Sequence, residues 1–71
     1  MDWLNFKNKK VFITVETSNG LRNYIGIIDE VNFLGKNTEG VNVWFLLMTD
    51  IKGSKVGFSS NSIKLIDEEK K

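Results

Sequence analysis

Side chains able to do catalytic chemistry are scarce in this sequence. It contains no histidine and no cysteine, which removes the commonest general base, the commonest metal ligand and every disulfide or thiolate metal site. Asp29 and Glu30 are adjacent, so on a strand their carboxylates point to opposite faces and do not form an acid–base pair. Gly20 and Gly26 fit a turn and a bend better than a phosphate-binding loop. We therefore expect a protein that is not an enzyme and that takes no cofactor, metal or small-molecule substrate.

The remaining polar side chains are suited to binding. Amide and hydroxyl groups occur at Asn32 and Asn42 and in the run Ser59, Ser60 and Asn61. The two asparagines fit either of two roles: they hydrogen-bond a base edge, or they occupy a loop margin and a solvent-facing strand position. Residues 59–61 fit either a binding site or a hydroxyl-assisted turn, because serine and asparagine bond readily to nearby backbone.

Length and charge restrict the class of protein further. The chain has 71 residues, which makes one small domain that buries only about 60% of its unfolded surface. Ten Lys and Arg against nine Asp and Glu give a net charge of +1, which is low for a dedicated nucleic-acid binder unless a ring of copies concentrates one basic face. No apolar run approaches membrane-spanning length, and the N-terminus does not resemble a secretion signal. We expect a cytoplasmic protein with no membrane partner.

Hydrophobic alternation predicts a mostly β domain over residues 1–71. Asp2 can cap a short helical turn over residues 2–6, whose Trp3, Leu4 and Phe6 must lie on the sheet because so short a turn is unstable alone. Turn-forming residues then separate five runs of strand-forming residues. The predicted strands cover residues 10–17, 23–33, 41–49, 55–58 and 62–66, followed by a charged, frayed tail at 67–71.

Gly26 lies inside the second predicted strand, where a glycine weakens pairing and packs nothing. Five short strands at regular spacing suggest a small sandwich or barrel, and a sheet of this size closes only if its longer strands bend. Glycine is a usual residue at such a corner. We therefore predict that Gly26 lets one half of the strand pair on one side of the barrel and the other half on the opposite side.

The order of elements resembles the Sm-like fold, the small bent barrel of the Sm, LSm and Hfq-type proteins. Asn19, Gly20, Tyr24 and Gly26 match the turn, aromatic and glycine of the first Sm motif, with one extra residue before the tyrosine. Aligned from Gly26, the asparagines at 32 and 42 fall where that motif has Asp and Asn. Residues 56–66 fit the apolar spacing of the second motif, but two serines stand where Arg-Gly is expected. The same pattern of small-barrel residues is shared with other SH3-like domains.

The resemblance implies a ring that binds single-stranded, uridine-rich RNA. The implied contacts are Asn32, Asn42, Ser59, Ser60 and Asn61, with nearby lysines such as Lys36. Because the arginine is missing and the charge is near zero, the competing expectation is a protein-interaction barrel without an RNA site. Lys7, Lys9 and Lys10 form a small basic group that either lies along an RNA path or is simply a solvated surface.

The last two predicted strands carry little charge at their centres, so as sheet edges they invite pairing with another chain. Neighbours in Sm rings pair through these same strands. We therefore expect a cyclic homo-oligomer whose interface includes Val56, Phe58, Ile63 and Leu65.

Overall fold

The computed structural model describes residues 2–69 and confirms a mostly β chain with five strands. A 3-10 turn at Trp3–Phe6, the N-terminal turn, precedes the sheet, and a second at Ser60–Ser62, the linker turn, joins the last two strands. Asp2 caps the N-terminal turn as predicted, because its Oδ1 accepts a hydrogen bond from the Leu4 N–H at 3.1 Å. The strands are β1 (Lys10–Thr17), β2 (Gly20–Lys36), β3 (Asn42–Asp50), β4 (Lys55–Ser59) and β5 (Ile63–Glu68).

The strands form one antiparallel sheet in the order β4–β3–β2–β1–β5. Within residues 2–69, β4 pairs only with β3 and β5 only with β1, so the predicted closure into a barrel is not completed by hydrogen bonding. The outer strands of a flat five-stranded sheet would be roughly 19 Å apart. The linker turn spans the two edges with three residues, which reach at most about 14 Å from Ser59 to Ile63. The sheet is therefore curled but open.

Strand β1 shows the predicted alternation. Val11, Ile13 and Val15 are buried, while Phe12 and Glu16 are exposed on the other face. A strand in the middle of a sheet that is apolar on one face must turn that face to the core. The bounds predicted for β1 from the sequence match the observed strand.

Gly26 is the position where β2 changes partner. The first part of the strand pairs with β1, ending at Ile27 opposite Lys10, and the second part pairs with β3, starting at Gly26 opposite Asp50. The predicted division of the strand between two partners is therefore confirmed. A Cβ at residue 26 would lie 2.2 Å from the Thr49 carbonyl oxygen and 2.7 Å from the Asp50 Cα. Glycine is needed because the backbone of β3 passes directly over it.

Two register shifts in β2 reset which side chains face the core. Ile28 pairs with Met48 and Glu30 with Leu47, so Asp29 is an extra residue, and Leu34 is extra in the same way further along. An extra residue moves the alternation on by one position. Ile28 and Val31 are consequently both buried although they are three residues apart.

The core lies on one face of the curled sheet. Its buried side chains come from all five strands: Val11, Ile13, Val15, Ile28, Val31, Leu46, Met48, Phe58 and Ile66. Trp3 and Phe6 of the N-terminal turn pack against this cluster, whereas Leu4 points to solvent. The N-terminal turn therefore covers the core through its aromatic residues.

The predicted tail is partly ordered sheet. Asp67 and Glu68 extend β5, and the Glu69 N–H donates to the Lys10 carbonyl oxygen at 2.8 Å. Two exposed ion pairs, Lys9–Glu68 at 3.6 Å and Lys10–Glu69 at 3.4 Å, lie beside this pairing. The fifth strand was predicted to end at residue 66 and continues to Glu68, and residues 70 and 71 of the predicted tail lie outside the described residues.

Candidate functional site

The distal half of the β2–β3 hairpin groups aromatic, amide and basic side chains on one face. Beyond the end of β4, whose pairing with β3 stops at Phe45, these two strands pair only with each other. Phe33 pairs with Trp44, and Lys36 pairs with Asn42. Since residues 42 and 44 are two apart in a regular strand, both pairs lie on one face. We call Phe33, Lys36, Asn42 and Trp44 the hairpin surface.

Two aromatic rings form the centre of the hairpin surface. The ring centroids of Phe33 and Trp44 are 5.1 Å apart with a tilt of 59°. Trp44 is half-buried against the core, whereas Phe33 is 53% exposed. An aromatic ring held by a neighbour and open on its other side is a platform on which a flat group can stack. Lys36 adds a positive charge next to it and is absent from the ion pairs found among residues 2–69.

The loop after the hairpin surface is held by Asn37. Its side-chain Oδ1 accepts hydrogen bonds from the N–H groups of Glu39, at 2.9 Å, and Val41, at 3.0 Å. The Asn37 N–H also donates to the Val41 carbonyl oxygen at 2.9 Å. These bonds close the end of the hairpin, so Lys36 and Asn42 are held in fixed positions opposite each other.

The linker turn is bonded to the edge of β3 at Trp44. Ser60 is only 9% exposed, and its Oγ accepts a hydrogen bond from the Trp44 N–H at 2.9 Å. The Ser59 hydroxyl donates to the Asn61 side-chain oxygen. These bonds favour the hydroxyl-assisted turn over the ligand-contact role. The Ser60 bond nevertheless places the linker turn beside Trp44 of β3.

The other predicted asparagine is on the opposite face. Asn32 pairs with Phe45, and Phe45 pairs with Ser59, so these three form a row across β2, β3 and β4. Phe45 alternates with Trp44 along β3, which places this row on the outer face of the sheet. The structure therefore brings Lys36 and Asn42 together but does not bring Asn32 onto the same face.

Of the four side chains predicted to form the oligomer interface, three pack on the core of their own subunit and one is exposed. Phe58 is 6% exposed and packs edge-on against Tyr24 with centroids 5.1 Å apart, and Val56 and Ile63 also pack on the core. Leu65, in contrast, is exposed on the outer face. What β4 and β5 offer a neighbour is therefore chiefly their unpaired backbone edges, together with Leu65.

Half of the basic residues within residues 2–69 are already paired with carboxylates. Lys9, Lys10, Lys55 and Lys64 lie within 4 Å of a Glu or Asp oxygen, among the eight Lys and Arg of this part of the chain. Two members of the predicted basic group at residues 7, 9 and 10 are thus neutralised. This arrangement favours the solvated-surface interpretation of that group.

The extra residue Asp29 is fixed by a polar cluster on the outer face. The Thr49 hydroxyl donates to Asp29 Oδ2 at 2.5 Å, and the Lys55 ammonium lies 2.9 Å from the same oxygen. These hydrogen bonds, that of Thr49 first and that of Lys55 second, hold the pKa of the Asp29 carboxyl below its usual range. The cluster ties β2, β3 and β4 together where the register shifts.

No helix in residues 2–69 has both the length and the apolar character needed to cross a membrane. The same part of the chain contains no cluster of three or more His, Cys, Asp or Glu side chains arranged to hold a metal ion.

Comparison of the chain with protein-family models, with curated proteins and with solved structures found no match.

Phe33 and Trp44 were not predicted from the sequence as candidate binding residues. Both lie in apolar runs of the kind that is typical of strands. The available signal was the polar stretch of residues 35–40, because a long loop between two strands marks a hairpin end that no third strand covers.

Proposed function

We propose that the chain is a single-stranded RNA-binding module with an open, curled barrel of the Sm-like type. The observation that carries the proposal is the hairpin surface, where an exposed Phe33 ring rests on Trp44 beside Lys36 and Asn42. Single-stranded nucleic acid is bound by the same combination of stacking aromatics and positive charge. In this arrangement the base stacks on Phe33, Lys36 neutralises a phosphate, and Asn42 hydrogen-bonds a base edge.

Assembly of copies is the second part of the proposal. The two edge strands, β4 and β5, correspond to the strands through which neighbours pair in Sm-like rings, and within the described residues each pairs with a strand on one side only. A ring would repeat the hairpin surface around its axis and raise the affinity for a strand that touches several copies. This compensates for the low charge of one copy, since each supplies a single free lysine at the surface.

The stacking contribution is testable with one substitution and a matched control. Stacking of a base on an aromatic ring contributes about 1–3 kcal/mol. Phe33→Ala is therefore expected to weaken binding of fluorescent oligouridine by about 5-fold to 150-fold. The control is Leu34→Ala, because Leu34 is 61% exposed on the same strand but offers no flat ring. A loss of binding equal in both variants would contradict the stacking role.

Salt and strandedness test the class of ligand. Binding of oligouridine should fall as salt increases, and a duplex of the same length should bind more weakly, because the bases of a duplex are not free to stack on Phe33. Size-exclusion chromatography with light scattering measures the assembly separately. A monomer at tens of micromolar would contradict the proposed ring but would not test the proposed RNA site.

A protein-interaction barrel is the second candidate. It is favoured by the ion pairing of half of the described basic residues and by the exposed aliphatic residues Leu34 and Val41 next to the hairpin surface. An assembled protein that binds no single strand at low salt would support this candidate and refute RNA binding.

A further inference from the structure

The turn between β1 and β2 contains a reactive pair that takes no part in the proposed RNA site. Ser18 and Asn19 form the turn, and Thr17 pairs with Gly20 across it. Asn19 is exposed, and Gly20 has a φ of +107° with no atom within 4 Å of the position a Cβ would take. The Asn19 side-chain amide is therefore next to a backbone nitrogen that no side chain shields.

We propose that Asn19 is a site of spontaneous backbone modification through a succinimide. The Gly20 backbone nitrogen attacks the Asn19 side-chain carbonyl carbon, a new N–C bond closes a five-membered ring, and the side-chain nitrogen leaves as ammonia. Water then opens the ring at either carbonyl, giving aspartate or isoaspartate at residue 19. The reaction needs only water, and no oxidation or reduction occurs.

Asn19 is distinguished from the other asparagines by its neighbour and by its bonding. It is the only asparagine in the sequence followed by glycine. The side-chain oxygens of Asn23, Asn37 and Asn61 accept hydrogen bonds from Thr14, from the loop N–H groups and from Ser59 respectively. Each of those residues is also followed by a residue with a side chain, which hinders attack on the amide.

The two products differ in their effect on the fold. Aspartate followed by glycine suits a tight hairpin turn, so that product keeps the turn and only lowers the net charge from +1 to 0. Isoaspartate adds a methylene to the backbone inside the turn. The Thr17–Gly20 pair, reinforced by the Thr17 hydroxyl donating to the Gly20 carbonyl oxygen at 2.7 Å, then no longer closes in register. Modification therefore loosens the end of the sheet at the turn where β1 ends and β2 begins.

The test is ageing of the full chain at neutral pH and warm temperature, followed by tryptic digestion and mass spectrometry. Cleavage after Lys10 and Arg22 isolates residues 11–22, which contain Asn19 as their only asparagine. We expect this peptide to gain the mass of an amide-to-acid conversion before any other, with isoaspartate confirmed by enzymatic methylation. Asn19→Gln should abolish the product, because glutamine forms the larger ring much more slowly.

Thermal unfolding provides the second measurement. The aged wild-type protein should contain a fraction with a lowered midpoint, and the aged Asn19→Gln variant should not. The proposal is overturned if the peptide of residues 11–22 keeps its mass while other asparagines react, or if it converts no faster than the peptide containing Asn37.

Discussion

Replacing Gly26 with alanine should destabilise the fold strongly, although alanine in place of glycine often stabilises a protein. The added Cβ would lie 2.2 Å from the Thr49 carbonyl oxygen and 2.8 Å from the Met48 Cγ, far inside ordinary contact distance. Because the first of these atoms is backbone, relief requires β3 to move away from β2. Residue 26 would then lose its pairing with Asp50, at the point where β2 changes partner from β1 to β3.

The magnitude follows from three opposing contributions. Overpacking in a close-packed region costs about 1–3 kcal/mol, and loss of a sheet hydrogen bond costs about 1 kcal/mol. Alanine also lowers the conformational entropy of the unfolded chain, which stabilises the folded state by about 0.4–1 kcal/mol. The expected net loss is about 1–3.5 kcal/mol. A chain of 71 residues has a total stability of about 4–10 kcal/mol, so the variant should be close to unfolding or markedly less stable.

Urea unfolding followed by tryptophan fluorescence measures this loss, with Gly57→Ala as the control. A Cβ at residue 57 would lie 2.5 Å from the Phe45 ring, which is the end of a movable side chain rather than backbone. Gly57→Ala should therefore cost less than Gly26→Ala. If Gly26→Ala has the same urea midpoint as the wild type, or if Gly57→Ala lowers the free energy of unfolding more than Gly26→Ala does, the close approach of β3 does not explain the glycine at residue 26.

Three further substitutions test the supports of the fold and of the hairpin surface. Ser60→Ala leaves the part-buried Trp44 N–H without its acceptor and should cost about 1–3 kcal/mol in urea unfolding, more than Ser59→Ala. The Asp29 pKa is lowered in the folded state, so its stabilising effect is complete above the unfolded pKa of about 3.9 and is lost as pH falls through the folded pKa. Thermal midpoints measured from about pH 6 to about pH 2 should consequently fall less steeply for Asp29→Asn than for the wild type. Asn37→Ala removes the side-chain oxygen that accepts two loop hydrogen bonds and should speed amide exchange at Glu39 and Val41.

The strands were predictable because their burial is one-sided. Val11, Ile13 and Val15 alternate with polar or exposed residues, and β1 was placed with correct bounds on that pattern alone. The partner exchange of β2 was predictable too, since a glycine inside an apolar run needs a structural reason. Bending of the strand was the reason predicted for this glycine. The structure shows a second reason, which is the close approach of the β3 backbone to Gly26.

The register shifts were not predictable, and they decide which polar residues share a face. Nothing in the residue types at 29 and 34 distinguishes an extra residue from a paired one. Alternation along each strand says which neighbours share a face, but it cannot say how β2 is aligned with β3. Asn32 and Asn42 could therefore be assigned to one site from the sequence, although the sheet separates them.

The exposure of Phe33 depends on the extent of neighbouring strands. Phe33 lies beyond the end of the β1–β2 pairing at Ile27, and its partner Trp44 lies beyond the end of the β3–β4 pairing at Phe45, so within residues 2–69 no third strand flanks this pair. From the sequence alone, an aromatic residue in an apolar strand is expected to lie in the core. The pairing of Phe33 with Trp44 therefore follows from the alignment of β2 with β3, which the residue types do not reveal.

Titration of isotope-labelled protein with oligouridine, followed by two-dimensional amide spectra, tests the proposed function most directly. The proposal predicts the largest shift changes at residues 33–36 and 42–44 and at the Trp44 indole N–H, with the β1–β2 turn unchanged. An unchanged spectrum at low salt, or changes centred on the outer face around Asn32 and Phe45, would show that the hairpin surface does not bind the strand.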